Sequence, residues 1–173
     1  MLVTISGLPG SGTSTIAREV AAALDLPRLD GGTVFRSMAA ERGMTLAEFG
    51  ALAEQEPSVD LELDRRLAVA ARAGDVVLES RLAGWIARNE GVAGLRVWVT
   101  CDERERARRV GAREGVALDD ALVANREREA SEALRYVTYY DIDLSDLAPY
   151  DLVLDSTSVP PDQLVSEILG SVR

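Results

Sequence analysis

The stretch Leu2 to Thr15, LVTISGLPGSGTST, limits what this chain can become more than any other. Leu2, Val3, Thr4 and Ile5 have the β-branched, unbroken apolar character of a strand covered by helices on both faces, so a buried parallel strand is expected. Gly7, Pro9, Gly10, Ser11 and Gly12 then break it. In the following IAREVAAALDL, Ile16, Val20 and Leu24 recur every four residues, the apolar stripe of a helix. Strand, glycine loop and helix in this order form a cradle for phosphate. Successive backbone N–H groups turn inward, the helix adds the positive end of its dipole, and glycine leaves room for close approach.

The spacing Gly7, four residues, Gly12, one residue, Ser14 follows the P-loop pattern G-x-x-x-x-G-K-[ST], except that Thr13 stands where the lysine would be. Ser14 falls where a hydroxyl would ligate Mg²⁺. A glycine-rich turn that merely ends a strand is the plainer reading, and the strand-to-helix setting weighs against it.

The inventory narrows the chemistry. The chain of 173 residues suits one α/β domain. A net charge of −10 argues against binding a nucleic-acid backbone, which needs basic surface. No apolar run approaches the roughly 20 residues of a membrane span, and Leu2 to Ile5 reads as a strand rather than a leader, so a cytoplasmic protein is expected. Cys101 is the only cysteine, and histidine is absent. Disulfide frameworks, thiolate zinc sites and histidine-dependent triads are therefore excluded. All nineteen basic side chains are Arg, so no other lysine can replace the one missing from the loop.

Farther along, Arg28-Leu29-Asp30 reads as a short strand and Thr33 as the cap of a helix over Val34 to Arg42. Thr45 with Glu48 reads as a capping box; Pro57-Ser58 precedes a helix striped by Val59, Leu63, Leu67 and Ala70. Val76 to Leu78 is a buried strand ending in Glu79-Ser80-Arg81, and polar residues at such ends are functional candidates in open parallel sheets. Leu82 to Asn89 reads as a short helix whose Trp85 is taken for packing rather than base stacking. Leu95 to Cys101 is the next strand. Asp102 and Glu105 read as a second capping box, opening a helix through Glu114 on which Arg106, Arg109 and Arg113 share a face. Helical periodicity resumes near Asp119, with Arg128 and Arg135 on one face. Eight of the nineteen arginines fall between Arg104 and Arg135. That charge pattern fits a salt-bridged hairpin equally well, but beside a phosphate cradle an arginine-lined cover is the better reading. Tyr150 to Asp155 and Pro161 to Val172 supply the last strand and helix. The expected fold is a three-layer P-loop α/β domain with a five-stranded parallel sheet.

The blocks ISGLPGSGTST (5 to 15), GTVFRSMAAERGMTLAEF (32 to 49), VDLELDRR (59 to 66), LESRLAGW (78 to 85), REREASEALRY (126 to 136), YYDIDLSDL (139 to 147) and YDLVLDS (150 to 156) resemble the nucleoside monophosphate kinases, in detail the archaeal-type cytidylate kinases, over nearly the whole chain. In that family threonine at the position of Thr13 is common. The resemblance implies transfer of the terminal phosphoryl of ATP to CMP or dCMP with Mg²⁺, in a monomer. It implies a core (1–32, 75–103, 137–173), an acceptor-binding insert (33–74) and a lid (104–136). Gly7, Leu8, Pro9, Gly10, Ser11, Gly12, Thr13, Ser14 and Thr15 would hold the donor phosphates, with Ser14 on the metal. Arg36 and Arg81 would grip the acceptor phosphate, and Arg113, Arg128 and Arg135 would close over the transferring group. Asp60, Asp64 and Arg65 are acceptor candidates from their place in the insert alone.

A phosphate acceptor is largely deprotonated at neutral pH, its second pKa being about 6, and needs no base. A hydroxyl acceptor would want a carboxylate, for which Glu79 is the candidate; Glu79 could equally orient Arg81 or a magnesium water. Thr13 carries no charge, so Arg109 or Arg113 is expected to supply it on closure. Two other readings stay open: a P-loop kinase for another acceptor (UMP, AMP or a small alcohol), and a catalytically weak nucleotide-binding regulator.

Overall fold

Strand β1 (Leu2–Gly7) is buried at every position, and its alternation divides the core in two. Leu2 joins Val76 and Leu78 under one helical layer, whereas Val3 and Ile5 join Val77, Val97 and Val99 under the other. The computed structural model describes residues 1–172, apart from the side chain of Ala47. After β1 come α1 (Thr13–Leu24), β2 (Arg28–Asp30), α2 (Gly31–Glu41), α3 (Leu46–Gln55), α4 (Pro57–Ala73) and β3 (Val76–Glu79). They are followed by α5 (Ala83–Asn89), β4 (Leu95–Thr100), α6 (Glu103–Glu114), α7 (Leu118–Tyr140), β5 (Leu152–Asp155) and α8 (Pro161–Ser171). The five strands are parallel, as expected, and lie in the order β2-β3-β1-β4-β5. Helices α1 and α8 cover one face, and α2 to α5 pack on the other.

This order positions the site. From β1 the chain leaves toward β2 through α1; from the adjacent β3 it leaves toward β4 through α5, on the opposite face. The two connections part above the carboxyl ends of β1 and β3, opening the crevice where doubly wound sheets bind ligands.

Several local expectations need correction. Helix α2 is capped by Asp30, not Thr33: Oδ1 accepts the Thr33 amide at 2.7 Å and Oδ2 its hydroxyl at 2.6 Å. The helix therefore starts at Gly31, with the Asp30 carboxylate reaching the Thr33 amide in its first turn from the strand end. The Thr45–Glu48 capping box is present. At α6 only half a box forms. Asp102 accepts the Arg104 and Glu105 amides, but the Glu105 carboxylate turns outward to Arg108 and Arg109, since two charged donors outbid one backbone amide. On α4 the buried stripe continues through Ala68 and Ala71, with Ala70 only half-buried. Trp85 is partly buried against the core, beneath the Arg88 guanidinium.

Candidate active site

The loop between β1 and α1 takes its shape from glycine. Gly10 (φ 83°) and Gly12 (φ 90°) lie in the left-handed region, and Gly12 opens α1 with no side-chain cap. The Thr13 and Ser14 amides that open α1 have no backbone acceptor, and the next two, of Thr15 and Ile16, donate to Gly12 O.

Outside donors hold alternate loop carbonyls. Gly7 O accepts Arg81 Nη1 at 2.8 Å, Pro9 O accepts Arg106 Nη1 at 3.2 Å, and Ser11 O accepts Ser156 Oγ at 2.7 Å. The three donors come from the end of β3, from α6 and from the end of β5, so the sheet and α6 together fix the peptide orientations of the loop. Arg106, 5% exposed, also donates to Cys101 O and pairs with Glu129 on α7. A charged side chain so deeply buried costs several kcal/mol unless it is paired and hydrogen-bonded, and here all three nitrogens are bonded, to the loop, to Cys101 O and to Glu129.

At the metal end, Thr13 Oγ1 and Ser14 Oγ both donate to Glu79 Oε1, at 3.0 and 2.6 Å. Arg28 Nη1 stands 3.3 Å from Glu79 Oε2, which has no hydrogen-bond partner although buried. Among the described residues Glu79 makes no contact with Arg81, contrary to the orienting role considered above. Arg28 was not anticipated. It donates to Ser14 O and Asp30, and its place at the start of the short β2 is the signal that could have found it.

A cleft of ≈ 490 Å³ runs from this loop to α4 and α7. It gathers six guanidinium groups (Arg28, Arg36, Arg81, Arg113, Arg128, Arg135) against five carboxyls (Asp30, Asp60, Asp64, Glu79, Glu132). In a chain of net charge −10 this is a locally cationic surface. Glu132, on α7, binds Arg81 and Arg128, each at 2.8 Å. Burial pushes its carboxyl up, but the two arginines outweigh burial and hold it below its ordinary value. Asp60 accepts Arg135 Nε at 2.8 Å, yet burial outweighs that partner and leaves its carboxyl raised. Arg36, its side chain 59% exposed, bonds the Thr33 hydroxyl and stands 3.9 Å from Asp30 Oδ1.

The expected residues thus separate into groups. Gly7 to Gly10, Thr13, Ser14, Arg36, Asp60, Asp64, Arg81, Arg113, Arg128 and Arg135 line one cleft. Arg65 does not. It is exposed and bonded bidentately to Glu62, one turn back on the outer face of α4. Arg109 also lies off the cleft: Nη2 donates to Ser156 O at 2.7 Å and Nε to Glu105, on the outer flank of the loop. Arg106, Arg109 and Arg113 therefore do not form one phosphate-facing row, because the loop carbonyls and Ser156 draw the first two away. Glu132 and Arg106 were missed as well; each was read as part of the lid charge, since nothing local marks a buried partner.

Residues 2–158 match the cytidylate kinase-like family. The chain is 41% identical over 172 residues to a cytidylate kinase of Pyrococcus furiosus, covering 99% of this chain and 88% of that protein. It is 43% identical to one of Methanopyrus kandleri (99% and 93% covered) and 44% identical to one of Haloarcula marismortui (100% and 90%). Among solved structures, a shikimate kinase of Bacteroides thetaiotaomicron superposes with a TM-score of 0.64 at 14% identity, covering 98% of this chain and 94% of that one. A gluconokinase of Sinorhizobium meliloti gives 0.62 at 16%, covering 97% and 89%. These likenesses attest the P-loop kinase fold. The full-length identity and the matched family agree with the cleft's phosphate-directed chemistry: the chain belongs to the cytidylate kinase-like family.

Proposed function

We propose that this protein transfers the γ-phosphoryl group of ATP to CMP, and to dCMP, giving ADP and CDP or dCDP, as a cytoplasmic monomer. The observation that carries the reading is the cleft itself. One end offers the amino end of α1 behind a loop whose alternate carbonyls are bonded from outside, the other offers Arg36, Arg81, Arg128 and Arg135, and both ends share one space of ≈ 490 Å³. One chain lines the whole cleft. Among the described residues no helix is long and apolar enough to cross a membrane.

In this reading the loop amides bind the β- and γ-phosphates of ATP, which need donors and leave no use for backbone carbonyls. Arg36 and Arg81 bind the acceptor phosphate and set it in line, with Glu132 fixing the Arg81 fork so that little orientational freedom is lost on binding. Arg128 and Arg135 come down from α7 onto the transferring group, where positioning and charge neutralisation supply most of the catalysis. Thr13 cannot lend charge, and it donates to Glu79 instead. Arg113, exposed at the cleft mouth, is the lid cation free to replace it.

Mg²⁺ fits the oxygen set formed by Ser14 Oγ, Thr13 Oγ1 and the orphaned Glu79 Oε2. The ion keeps several waters and needs only one or two protein oxygens beside the phosphates. Bound there, it would neutralise charge between the β- and γ-phosphates. Among the described residues no three acidic, Cys or His side chains cluster as an all-protein cage, as expected for such a site.

The geometry favours a phosphate acceptor over a hydroxyl. A hydroxyl needs a carboxylate base beside the donor phosphates, but there Asp30 is committed to Thr33 and Arg28, and Glu79 has Oε1 on Thr13 and Ser14 and Oε2 facing Arg28 at 3.3 Å. A coupled ADP-release assay with CMP, dCMP, UMP, AMP and shikimate tests the proposal. ADP release that requires CMP or dCMP supports it. ATP binding with release indifferent to every acceptor identifies a regulator, and preference for another acceptor refutes the substrate assignment.

A further inference from the structure

The cleft changes character along its length. Near the loop it is lined by guanidinium groups, but where α4 meets α7 it is bordered by Phe35, Leu63 and Tyr136, with two carboxyls one helical turn apart, Asp60 and Asp64. Asp60 is neutralised by Arg135. Among the described residues Asp64 has no cation within ion-pair distance. It stands in the wall between the cleft and a second cavity of ≈ 270 Å³, and the Tyr140 hydroxyl faces it from that far side. A half-buried carboxyl with a free oxygen toward an apolar, aromatic end of a nucleotide cleft meets a base, not a phosphate.

Resting on the proposed kinase reading, we propose that Asp64 is the residue that reads the acceptor base: its carboxylate accepts from the exocyclic amino group of a pyrimidine and turns away an oxo group at the same ring position. Cytosine presents an N4 amino donor there, and uracil an O4 acceptor. An ionised carboxylate has only lone pairs to offer, so the amino base is bound and the oxo base repelled. Sites built to use a substrate's hydrogen-bonding group discriminate strongly, because the wrong ligand leaves a buried polar group unmatched.

A pH dependence follows. Burial pushes Asp64 up to about 7, the Tyr140 hydroxyl working against it and Asp60 with it. Glu132, Arg135 and Tyr136 face the same region from α7 and Arg81 from the end of β3, while Arg65, Arg72 and Glu90 border the second cavity. Below pH 7 the protonated carboxyl can donate to O4 and tolerate uracil; above it only the amino base is matched. The kcat/KM ratio of CMP to UMP should therefore rise with pH, and the phosphate's own titration cancels because both nucleotides share it.

The test is that ratio between pH 6 and 8.5 for the wild-type chain, Asp64→Asn and Tyr140→Phe, each checked for native melting. The wild-type ratio should climb about tenfold or more. In Asp64→Asn, whose amide can turn either way, it should fall at least about tenfold at pH 8 and lose its pH dependence. Tyr140→Phe removes a group that lowers the Asp64 pKa, so the rise should move to higher pH. A ratio in Asp64→Asn within twofold of wild type at pH 8, or a wild-type pH profile that survives the substitution, overturns the assignment. If Asp64→Asn does not fold, an unshifted profile in Tyr140→Phe does so. Absence of CMP turnover in the wild-type chain would instead refute the kinase reading itself.

Discussion

Replacing Gly10 by alanine tests whether the loop must keep the shape described. The residue lies at φ 83°, and an added Cβ would stand 2.5 Å from the Arg106 carbonyl oxygen, well inside any contact a real Cβ makes. The left-handed conformation costs an L-residue about 1–2 kcal/mol. Relieving the overlap resembles overpacking, at about 1–3 kcal/mol. Together these disfavour the native loop by about 2–5 kcal/mol, roughly 30- to 4,000-fold. Since α6 is held behind the loop by the Arg106 contacts to Pro9 and Cys101, the cheaper escape is a flipped loop. Calorimetric titration should show Mg·ATP affinity at least about 30-fold weaker, while urea denaturation shows a smaller loss of stability. Gly50→Ala is the control: inside α3 with no atom within 4 Å of its added Cβ, it should gain up to about 1 kcal/mol. Nucleotide affinity in Gly10→Ala within threefold of wild type, with unchanged melting, would refute the reasoning.

Arg106→Ala should cost about 3 kcal/mol in urea denaturation, by stranding the partly buried Glu129, and raise the KM for ATP by freeing Pro9 O. Arg36→Ala, removing an exposed side chain with one hydroxyl bond and one long ion pair, should leave stability within about 0.5 kcal/mol and lower kcat/KM for CMP about a hundredfold in the coupled assay. Arg113→Ala with Arg109→Ala should lower kcat more than about tenfold, some 1.4 kcal/mol; smaller losses in both singles and the double, or a large gain in Thr13→Lys, would reject lid compensation for the missing lysine. Asp64 titrates at about 7 in the folded chain against 3.8 in the unfolded chain, so ionisation costs stability progressively as pH rises through that window. Asp64→Asn should therefore be more stable than wild type at pH 8, by at most about 4 kcal/mol, with the difference vanishing near pH 4 in paired denaturation curves.

Elements set by local periodicity and punctuation were legible in the sequence. The five strands, the glycine loop, the long arginine-bearing helices and the Thr45–Glu48 box need only near neighbours. Partners distant in sequence were not. Arg81 could be singled out from its place at a strand end, but its tie to Glu132, fifty-one residues on, could not. Arg106 and Arg109 look like lid cations beside Arg113 in ERERARRVGARE, and only the folded chain shows them spent on Pro9 and Ser156. Arg65 and Asp64 are sequence neighbours on one helix; a rotation of about 100° puts one in the cleft and the other outside it. Asp30 displaced Thr33 as the cap because Gly31, Gly32 and Thr33 already form the first turn of α2, while the strand ends at Asp30 as expected.

In the proposed reaction one cleft holds a triphosphate at the loop and a nucleotide phosphate at the arginines, end to end. A bisubstrate compound joining adenosine and cytidine through a polyphosphate chain tests it most directly, since occupying both ends makes the second binding event intramolecular. Titrated with Mg²⁺, it should bind at least about a hundredfold more tightly than ATP or CMP alone and compete with both. Competition with ATP alone, at an affinity no better than that of ATP, would contradict the account.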